Sequence, residues 1–301
     1  MKKLISLLLI LMLLPLTGCS TENVSEGKIR ITATLFPQYD FARQIGGDKV
    51  DVTLLLPAGQ ESHLYDPSPA DMAKISKSDL FIYTGDAMEG WAGNIASSVG
   101  GNVKVLDVSS NIDLFSHGEE EHEHEHSLDP HIWLDFDNAK KMCATIAAEL
   151  ILLSPENEEY FTENLLNFTN ALTALDEEYS ALFAEGQKKD LIFGGRFAVG
   201  YLTRRYNIQY KSAYDSCSAN SEPSVQDIAA LSDYVKENDI KVIFCEEFSD
   251  PKIAREIASA NNAEVLVLHS CHNTSAQERE AGATFISIMT ENLSNIRKGL
   301  L

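Results

Sequence analysis

Short apolar runs alternate with helical stretches along most of the chain. The apolar runs are typical of buried strands and predict strands at 29–35, 50–56, 80–84, 103–108, 191–193, 208–210, 242–245 and 265–269. Apolar residues at helical spacing predict helices at 38–45, 69–77, 89–99, 138–153, 197–206, 224–238, 252–261 and 283–298. Strands separated by helices indicate an α/β fold, with parallel sheets that carry helices on their faces.

The most regular pattern follows Ser154-Pro155-Glu156, which is typical of a helix start. The apolar residues after it recur at alternating spacings of four and three and are Phe161, Leu165, Phe168, Leu172, Leu175, Tyr179 and Leu182. One interpretation is a coiled-coil dimer, and the other is a backbone helix packed across two lobes. We favour the second, because about three heptads flanked by βα units are short for a free-standing zipper.

These patterns predict two βα lobes with parallel sheets, joined by a long rigid backbone helix. The N-terminal lobe is expected at 29–136, the helical linker at 137–186 and the C-terminal lobe at 187–301. Parallel sheets bind ligands beyond the carboxyl ends of their strands, and a cleft between two lobes is a common ligand site. We therefore expect a ligand site in the cleft between the lobes.

The first residues have the pattern of a targeting segment. Two lysines precede the apolar stretch 4–16, which is too short to span a bilayer stably. Leu16-Thr17-Gly18-Cys19 then matches the bacterial lipobox. We predict a signal peptide at 1–18, lipidation of Cys19 and a tether at 19–28, with the protein on the extracytoplasmic face of the cell membrane. The alternative is an ordinary secretory signal with an incidental cysteine.

The net charge of the whole chain is strongly acidic, at −21. This charge argues against nucleic acid and against anionic lipid surfaces as partners. It suits a solvated protein that attracts cations. After the signal peptide, no stretch is apolar enough to cross a membrane.

Half of the eight histidines lie in one acidic segment, 117–126. They are His117, His122, His124 and His126, and glutamates separate the last three. The segment cannot bury apolar area, so we predict a mobile loop. It is either a solvated acidic linker or an auxiliary, low-affinity collector of zinc, and the alternation of His and Glu favours the collector.

Three other histidines lie at strand ends or in a stiff loop. His63 follows the strand 50–56 in a loop stiffened by prolines, His131 follows Pro130, and His269 ends the strand 265–269. A single histidine is more often structural, but three in equivalent positions indicate a metal site. Imidazole ligands in an oxidising compartment favour Zn²⁺ over harder ions, which prefer carboxylates.

Two motifs and the loop before the second of them carry a family resemblance. The motifs are His63-Leu64-Tyr65-Asp66-Pro67-Ser68-Pro69 and Asp129-Pro130-His131-Ile132-Trp133-Leu134-Asp135. With the loop 117–126, they resemble the zinc/manganese-class, ZnuA-like solute-binding lipoproteins of bacterial ABC transporters. The resemblance implies a metal ion held between two lobes on a rigid helix, and delivery of that ion to a membrane permease.

The resemblance also implies a ligand set, which this chain matches only in part. His63 and His131 match the first two family ligands, and His269 is expected at the fourth position. The third position is Arg196, and arginine cannot ligate a metal. Arg196 is expected to pair with a carboxylate such as Glu246. Further candidate ligands are Glu246, Cys217 and His272.

Four cysteines remain after Cys19. Cys143 lies on an apolar helical face and Cys245 ends an apolar strand, so both are expected to be buried free thiols. Cys217 and Cys271 lie in polar segments. A disulfide between them is the favoured interpretation, since the compartment permits it. A thiolate ligand beside His269 is the alternative.

Three hypotheses of function follow from these features. The first is a lipid-anchored receptor, not an enzyme, that binds Zn(II) and passes it to an ABC permease; manganese is the alternative cargo. The second is a zinc hydrolase with an open water position, against which no hydrolase signature such as HExxH is present. The third is an adhesin or structural surface protein, which only the lipid anchor supports.

Overall fold

Two four-stranded parallel sheets form the centres of two lobes in the computed structural model, which describes residues 27–99, 101–115, 128–185, 190–214 and 223–300. The first sheet has the order β2-β1-β3-β4 and contains β1 (Ile29–Ala33), β2 (Val50–Leu54), β3 (Leu80–Tyr83) and β4 (Lys104–Asp107). The second has the order β6-β5-β7-β8 and contains β5 (Leu191–Phe193), β6 (Tyr210–Ser212), β7 (Val242–Cys245) and β8 (Glu264–Val267). All neighbouring strands in both sheets are parallel, which confirms the predicted α/β class.

Helices cover the sheets and connect the two lobes. In chain order they are α1 (Phe36–Gly46), α2 (Pro69–Ile75), α3 (Gly85–Glu89), α4 (Ala92–Ser98), α5 (Phe136–Leu153), α6 (Glu158–Glu185), α7 (Gly200–Arg205), α8 (Val225–Glu237), α9 (Lys252–Asn261), α10 (Ala276–Glu280) and α11 (Phe285–Leu300). Within the described ranges, none of these helices is long and apolar enough to cross a membrane.

The long helix α6 packs across both lobes, as the favoured interpretation of the apolar stripe predicted. It contacts α1 of the first lobe and α11 of the second. In its stripe, Phe161, Leu172 and Tyr179 are fully buried. The Tyr179 hydroxyl donates a 2.7 Å hydrogen bond to the carbonyl oxygen of Met289 in α11. Because the stripe is buried inside the chain, it is not available for a coiled-coil partner.

The largest of three hydrophobic clusters among the described residues runs through both lobes. It includes Ile31 of the first sheet, Phe41 of α1, Phe136 of α5 and Phe244 of the second sheet. Burial of these apolar side chains removes a large area from water and is the main stabilising term of such a fold. The two lobes are therefore joined by packing as well as by the linker.

Arg205 at the end of α7 adds a polar link between the lobes. Its Nη1 lies 3.0 Å from Asp135 and 2.9 Å from Asp137, at the start of α5. Its Nε donates a 2.8 Å hydrogen bond to Asp176 in α6. The carboxylates of Asp135, Asp137 and Asp176 therefore all contact the guanidinium of Arg205, whose planar set of N–H donors can bond several acceptors at once.

Several predicted boundaries differ from the structure for local reasons. The strand predicted at 208–210 lies further along, as β6. The helix predicted at 89–99 is α4, and the short helix α3 before it was not predicted; the Glu89 carboxylate at its end accepts the N–H of Thr84. The short helix α10 was not predicted, although its capping box is visible in the sequence. Ser275 accepts the N–H of Glu278, and Glu278 accepts that of Ser275.

The buried stripe of α6 can be tested with two leucines of the same helix. Leu172 is fully buried, so Leu172→Ala should lower the free energy of unfolding by about 2–5 kcal/mol through lost burial and a residual cavity. Leu166 is 58% exposed, so Leu166→Ala should change it by no more than about 0.5 kcal/mol. Urea unfolding of both variants measures the difference. Equal losses would contradict the packing of α6.

Candidate metal centre

Three histidine side chains come together between the lobes. His63 lies in the loop after β2, His131 directly before the turn Ile132–Leu134, and His272 in the loop after β8. The ring centroids of His63 and His131 are 5.3 Å apart, and those of His63 and His272 are 6.5 Å apart. The Nε2 atoms of all three are buried and have no hydrogen-bond partner among the described residues.

The Nδ1 atom of His131 is held by a carboxylate. It lies 2.8 Å from Oδ1 of Asp129, an oxygen that also accepts the backbone N–H of His131. A histidine that donates from Nδ1 to a carboxylate presents the lone pair of Nε2, which is the arrangement typical of metal-ligating histidines. The local sequence Asp129-Pro130-His131 therefore orients one ligand by itself.

A second chain of hydrogen bonds orients His272. The Ser270 hydroxyl donates to Oε1 of Glu247 at 2.7 Å, so its oxygen accepts from Nδ1 of His272. Because Nδ1 then carries the proton, Nε2 of His272 presents its lone pair. His131 and His272 thus both have a buried Nε2 atom without a hydrogen-bond partner among the described residues.

Hydrogen bonds between the lobes hold these loops against each other. The N–H of Phe36 donates to the carbonyl of His272 at 3.1 Å. Asn273 donates from Nδ2 to the carbonyls of Pro57 and Gln60, at 2.7 and 2.9 Å. Trp133 donates from its indole to the carbonyl of Ser270 at 2.7 Å. The histidines of the two lobes are therefore fixed relative to each other.

Arg196 lies beside the histidines and contacts two carboxylates. Its Nη2 is 3.2 Å from Oε2 of Glu246, which confirms the predicted pair. It is closer, at 2.8 Å, to Oε2 of Glu61, a residue that the sequence analysis missed. The only signal for Glu61 was its place two residues before His63. Oε1 of Glu61 lies 3.9 Å from Nε2 of His272.

Burial and neighbouring charges set the protonation of this centre. Burial and the nearby His131 lower the pKa of His63 to about 4, against the opposing charge of Glu61. Burial also lowers the pKa of His272. Burial opposes the charged form of Glu61, but the charges of His272 and Arg196 outweigh it and lower its pKa to about 2. Burial and the nearby Glu247 raise the pKa of Glu246 to about 8.

Neutral, buried imidazoles are the form that binds a transition metal, since a protonated ring has no free lone pair. Imidazole nitrogens are the donors that tetrahedral Zn²⁺ prefers, although among the described residues no group of three or more His, Cys, Asp or Glu side chains is already placed to hold a metal ion. The donor set is therefore chemically suited to zinc.

We expected His269 to join His63 and His131 as a metal ligand, but the structure places it elsewhere. Its Nδ1 accepts the N–H of Cys271 at 2.9 Å, and its Nε2 lies 3.4 Å from Glu278. Its ring lines another cavity, of about 240 Å³, together with Glu278 and Glu291. His272, expected only as an additional candidate, lies three residues further on and faces His63 instead.

The remaining candidate residues are either buried cysteines or lie outside the part of the chain that the structure describes. Cys143 and Cys245 are buried free thiols, as predicted, and Cys271 is also buried. Outside the described residues lie Cys19, His117, His122, His124, His126 and Cys217. The lipid anchor, the zinc-collecting loop and the disulfide between Cys217 and Cys271 therefore stay predictions.

Comparison with known proteins gives one family. Residues 31–299 match the family model ZnuA, described as "Zinc-uptake complex component A periplasmic". The chain is 35% identical over 294 residues to the high-affinity zinc uptake system protein ZnuA of Bacillus subtilis strain 168. This alignment covers 94% of the chain and 92% of that protein.

Two further matches come from Streptococcus pneumoniae. The chain is 32% identical to the zinc-binding lipoprotein AdcA of serotype 4 strain TIGR4, over 99% of this chain and 61% of that protein's length. The crystal structure of the Zn(II)-bound ZnuA-like domain of AdcA superposes with a TM-score of 0.78 at 29% identity, covering 91% of this chain and 99% of that domain. The fold with two α/β lobes is thus shared.

The lowered pKa of His63 predicts a pH dependence of stability. A folded-state pKa of about 4, against 6.5 for the free group, means that the folded protein binds fewer protons than the unfolded chain between these values. The metal-free protein should therefore lose stability as the pH falls from about 6.5 to about 4, and His63→Ala should reduce this loss. Urea unfolding across that range measures it.

His269 provides a control of opposite sign. Burial lowers its pKa, but the charge of Glu247 outweighs burial and raises the pKa well above its usual range. Its contribution to stability is complete below pH 6.5 and is lost as the pH rises above that value, so His269→Ala should leave the acid loss unchanged and should remove a loss of stability above pH 6.5. An unchanged pH dependence in both variants would contradict these assignments.

Proposed function

Because the chain belongs to the ZnuA family of zinc-uptake components, we propose that it is an extracytoplasmic receptor that captures Zn²⁺ between its lobes and delivers it to a membrane importer. The observation that carries this proposal is the convergence of three buried imidazoles whose Nε2 atoms have no partner among the described residues. Relatives named for zinc uptake and zinc binding support zinc as the cargo.

His63, His131 and His272 are the proposed ligands of Zn²⁺. Their nitrogens are of the class that zinc prefers, and the fourth position is open to an oxygen donor. Manganese is the alternative cargo, because the carboxylates of Glu61 and Glu246 lie beside the imidazoles and carboxylates suit harder ions. Competition between the two ions distinguishes these cargoes.

The first residues fit a receptor that stays at the cell surface. We propose that Cys19 carries a lipid anchor, that 19–28 is the tether, and that an ABC permease receives the ion. The segment 117–126 is proposed to collect zinc without holding the transported ion, because its histidines alternate with glutamates. We propose no catalytic step and no adhesive role.

Zinc titration of the full-length chain in detergent tests the proposal. With a competing chelator, calorimetry should find one tight site. His63→Ala, His131→Ala and His272→Ala should each weaken that site by more than the roughly 10–100-fold typical of losing an outer-shell partner, because each removes a direct ligand.

Two controls separate the cleft from other histidines. His269→Ala and deletion of 117–126 should keep the tight site. Loss of tight binding only on deletion of 117–126 would place the ion in that segment and contradict the proposal. Tighter binding of Mn²⁺ than of Zn²⁺ would favour the alternative cargo.

A further inference from the structure

One guanidinium joins the loop that leads to His63 with the loop that contains His272. Arg279 lies in α10, and its Nη2 donates hydrogen bonds to the carbonyl of Leu56 at 3.0 Å and to Oδ1 of Asn273 at 2.6 Å. Leu56 follows β2 in the first lobe, whereas Asn273 follows β8 in the second lobe. Arg279 therefore contacts both sides of the cleft.

The side chain of Asn273 completes this connection. It is fully buried, and its Nδ2 donates to the carbonyls of Pro57 and Gln60, at 2.7 and 2.9 Å. Its Oδ1 accepts from Arg279 and from the N–H of Thr274. Both N–H protons and both lone pairs of the amide are therefore in use. We call Arg279, Asn273 and the three carbonyls that they bind, at 56, 57 and 60, the clasp.

The clasp fixes a stretch of loop that has little packing of its own. Residues 57–60 are exposed, and no helix or strand includes them. An exposed segment with few packed side chains opens easily unless hydrogen bonds hold its backbone. The clasp supplies such bonds from the second lobe, and Gly59 adds one by donating its N–H to the carbonyl of Thr274 at 2.9 Å.

Two proposed zinc ligands lie next to the clasp along the chain. Gln60 comes shortly before His63, and Asn273 directly follows His272. Because the clasp ties the backbone at these two points, loosening it lets His63 move away from His272. Among the described residues, Arg279 makes no hydrogen bond or ion pair with the three histidines, so its effect on the ion passes through the loops.

We propose that Arg279 is a positioning residue of the metal centre, which with Asn273 holds the loop of His63 against the loop of His272 and limits the rate at which zinc leaves. This inference rests on the proposed function and adds to it a contact that controls release. The ion leaves when the clasp opens, because the two ligands then separate. Loss of the clasp should therefore raise the dissociation rate far more than it lowers the association rate.

Arg205 provides the comparison that separates positioning from stability. Both arginines join the lobes, but Arg205 does so through the carboxylates of Asp135 and Asp176, outside the loops of His63 and His272. Replacement of either arginine by alanine should lower the temperature of thermal unfolding. Only the loss of Arg279 should speed the release of zinc.

Zinc release from the full-length chain in detergent tests the proposal. The zinc-loaded protein is mixed rapidly with excess chelator, and the dissociation rate constant is measured. Arg279→Ala should raise this constant at least about tenfold, the lower end of the effect of losing an outer-shell partner. Arg205→Ala should change it less than about threefold, because its contacts are not shared with the clasp. Equal acceleration in the two variants would overturn the proposal.

Arg279→Lys distinguishes the hydrogen bonds from the positive charge. Lysine keeps the charge but lacks the planar set of donors, so release should be faster than in the unaltered chain and slower than in Arg279→Ala. A positive charge near a divalent cation repels it, so a role through charge alone would make release slower in Arg279→Ala. Slower release in that variant would therefore overturn the proposal.

The joint action of Arg279 and Asn273 is tested by combining their substitutions. Asn273→Ala should also speed release. The double variant should release zinc more slowly than the product of the two separate effects predicts, because both side chains act through one clasp. Fully multiplicative effects would overturn the shared role.

The controls separate this inference from the proposed function. Thermal unfolding of each metal-free variant reports whether it folds. If Arg279→Ala does not fold, Arg279→Lys decides, and release as slow as in the unaltered chain would overturn the proposal. Absence of a tight zinc site in the unaltered chain would overturn the proposed function itself, whereas unchanged release in a folded Arg279→Ala variant overturns only the role of the clasp.

Discussion

The centre between the lobes depends on three buried imidazoles, those of His63, His131 and His272, whose Nε2 atoms have no hydrogen-bond partner among the described residues. A buried polar atom without a hydrogen bond costs about 1–3 kcal/mol, and three at one place are a considerable cost for a marginally stable protein. Much of the surrounding structure maintains this arrangement. Asp129 and Ser270 fix two of the rings, and Trp133 and Asn273 hold the loops of the two lobes together. A metal ion bound as proposed would offset that cost by supplying the missing partner.

The fold contributes by bringing loops from different strands to one place. Parallel strands in each sheet end on the same side, so the loops after β2 and β8 project their histidines into the cleft. The hydrophobic cluster shared by both lobes, together with α6, then fixes the position of one sheet relative to the other. The geometry of the centre is thus a property of the whole chain, although each ligand is oriented by residues close to it in sequence.

The sequence predicted the fold well because its signals are local. Apolar runs marked the strands, and the spacing of Phe161, Leu172 and Tyr179 marked a helix that packs inside the chain. The centre was predicted only in part. His63 and His131 lie in recognisable motifs, but choosing between His269 and His272 requires the path of the loop after β8, where Cys271 adopts a positive φ of 65°. Glu61 accepts a hydrogen bond from Arg196, 135 residues away, and no local pattern reveals that contact.

The shared core has a consequence for how cargo leaves. In a receptor with separate lobes, a hinge can swing the walls of the cleft apart and expose the ion. Here Phe285 of α11 donates its N–H to the buried Asp40 of α1, and both helices pack on α6, so a wide hinge motion would break the interior. Under the proposed function, the ion would therefore be exchanged through small displacements of the loops that carry His63 and His272, without a rotation of one lobe against the other.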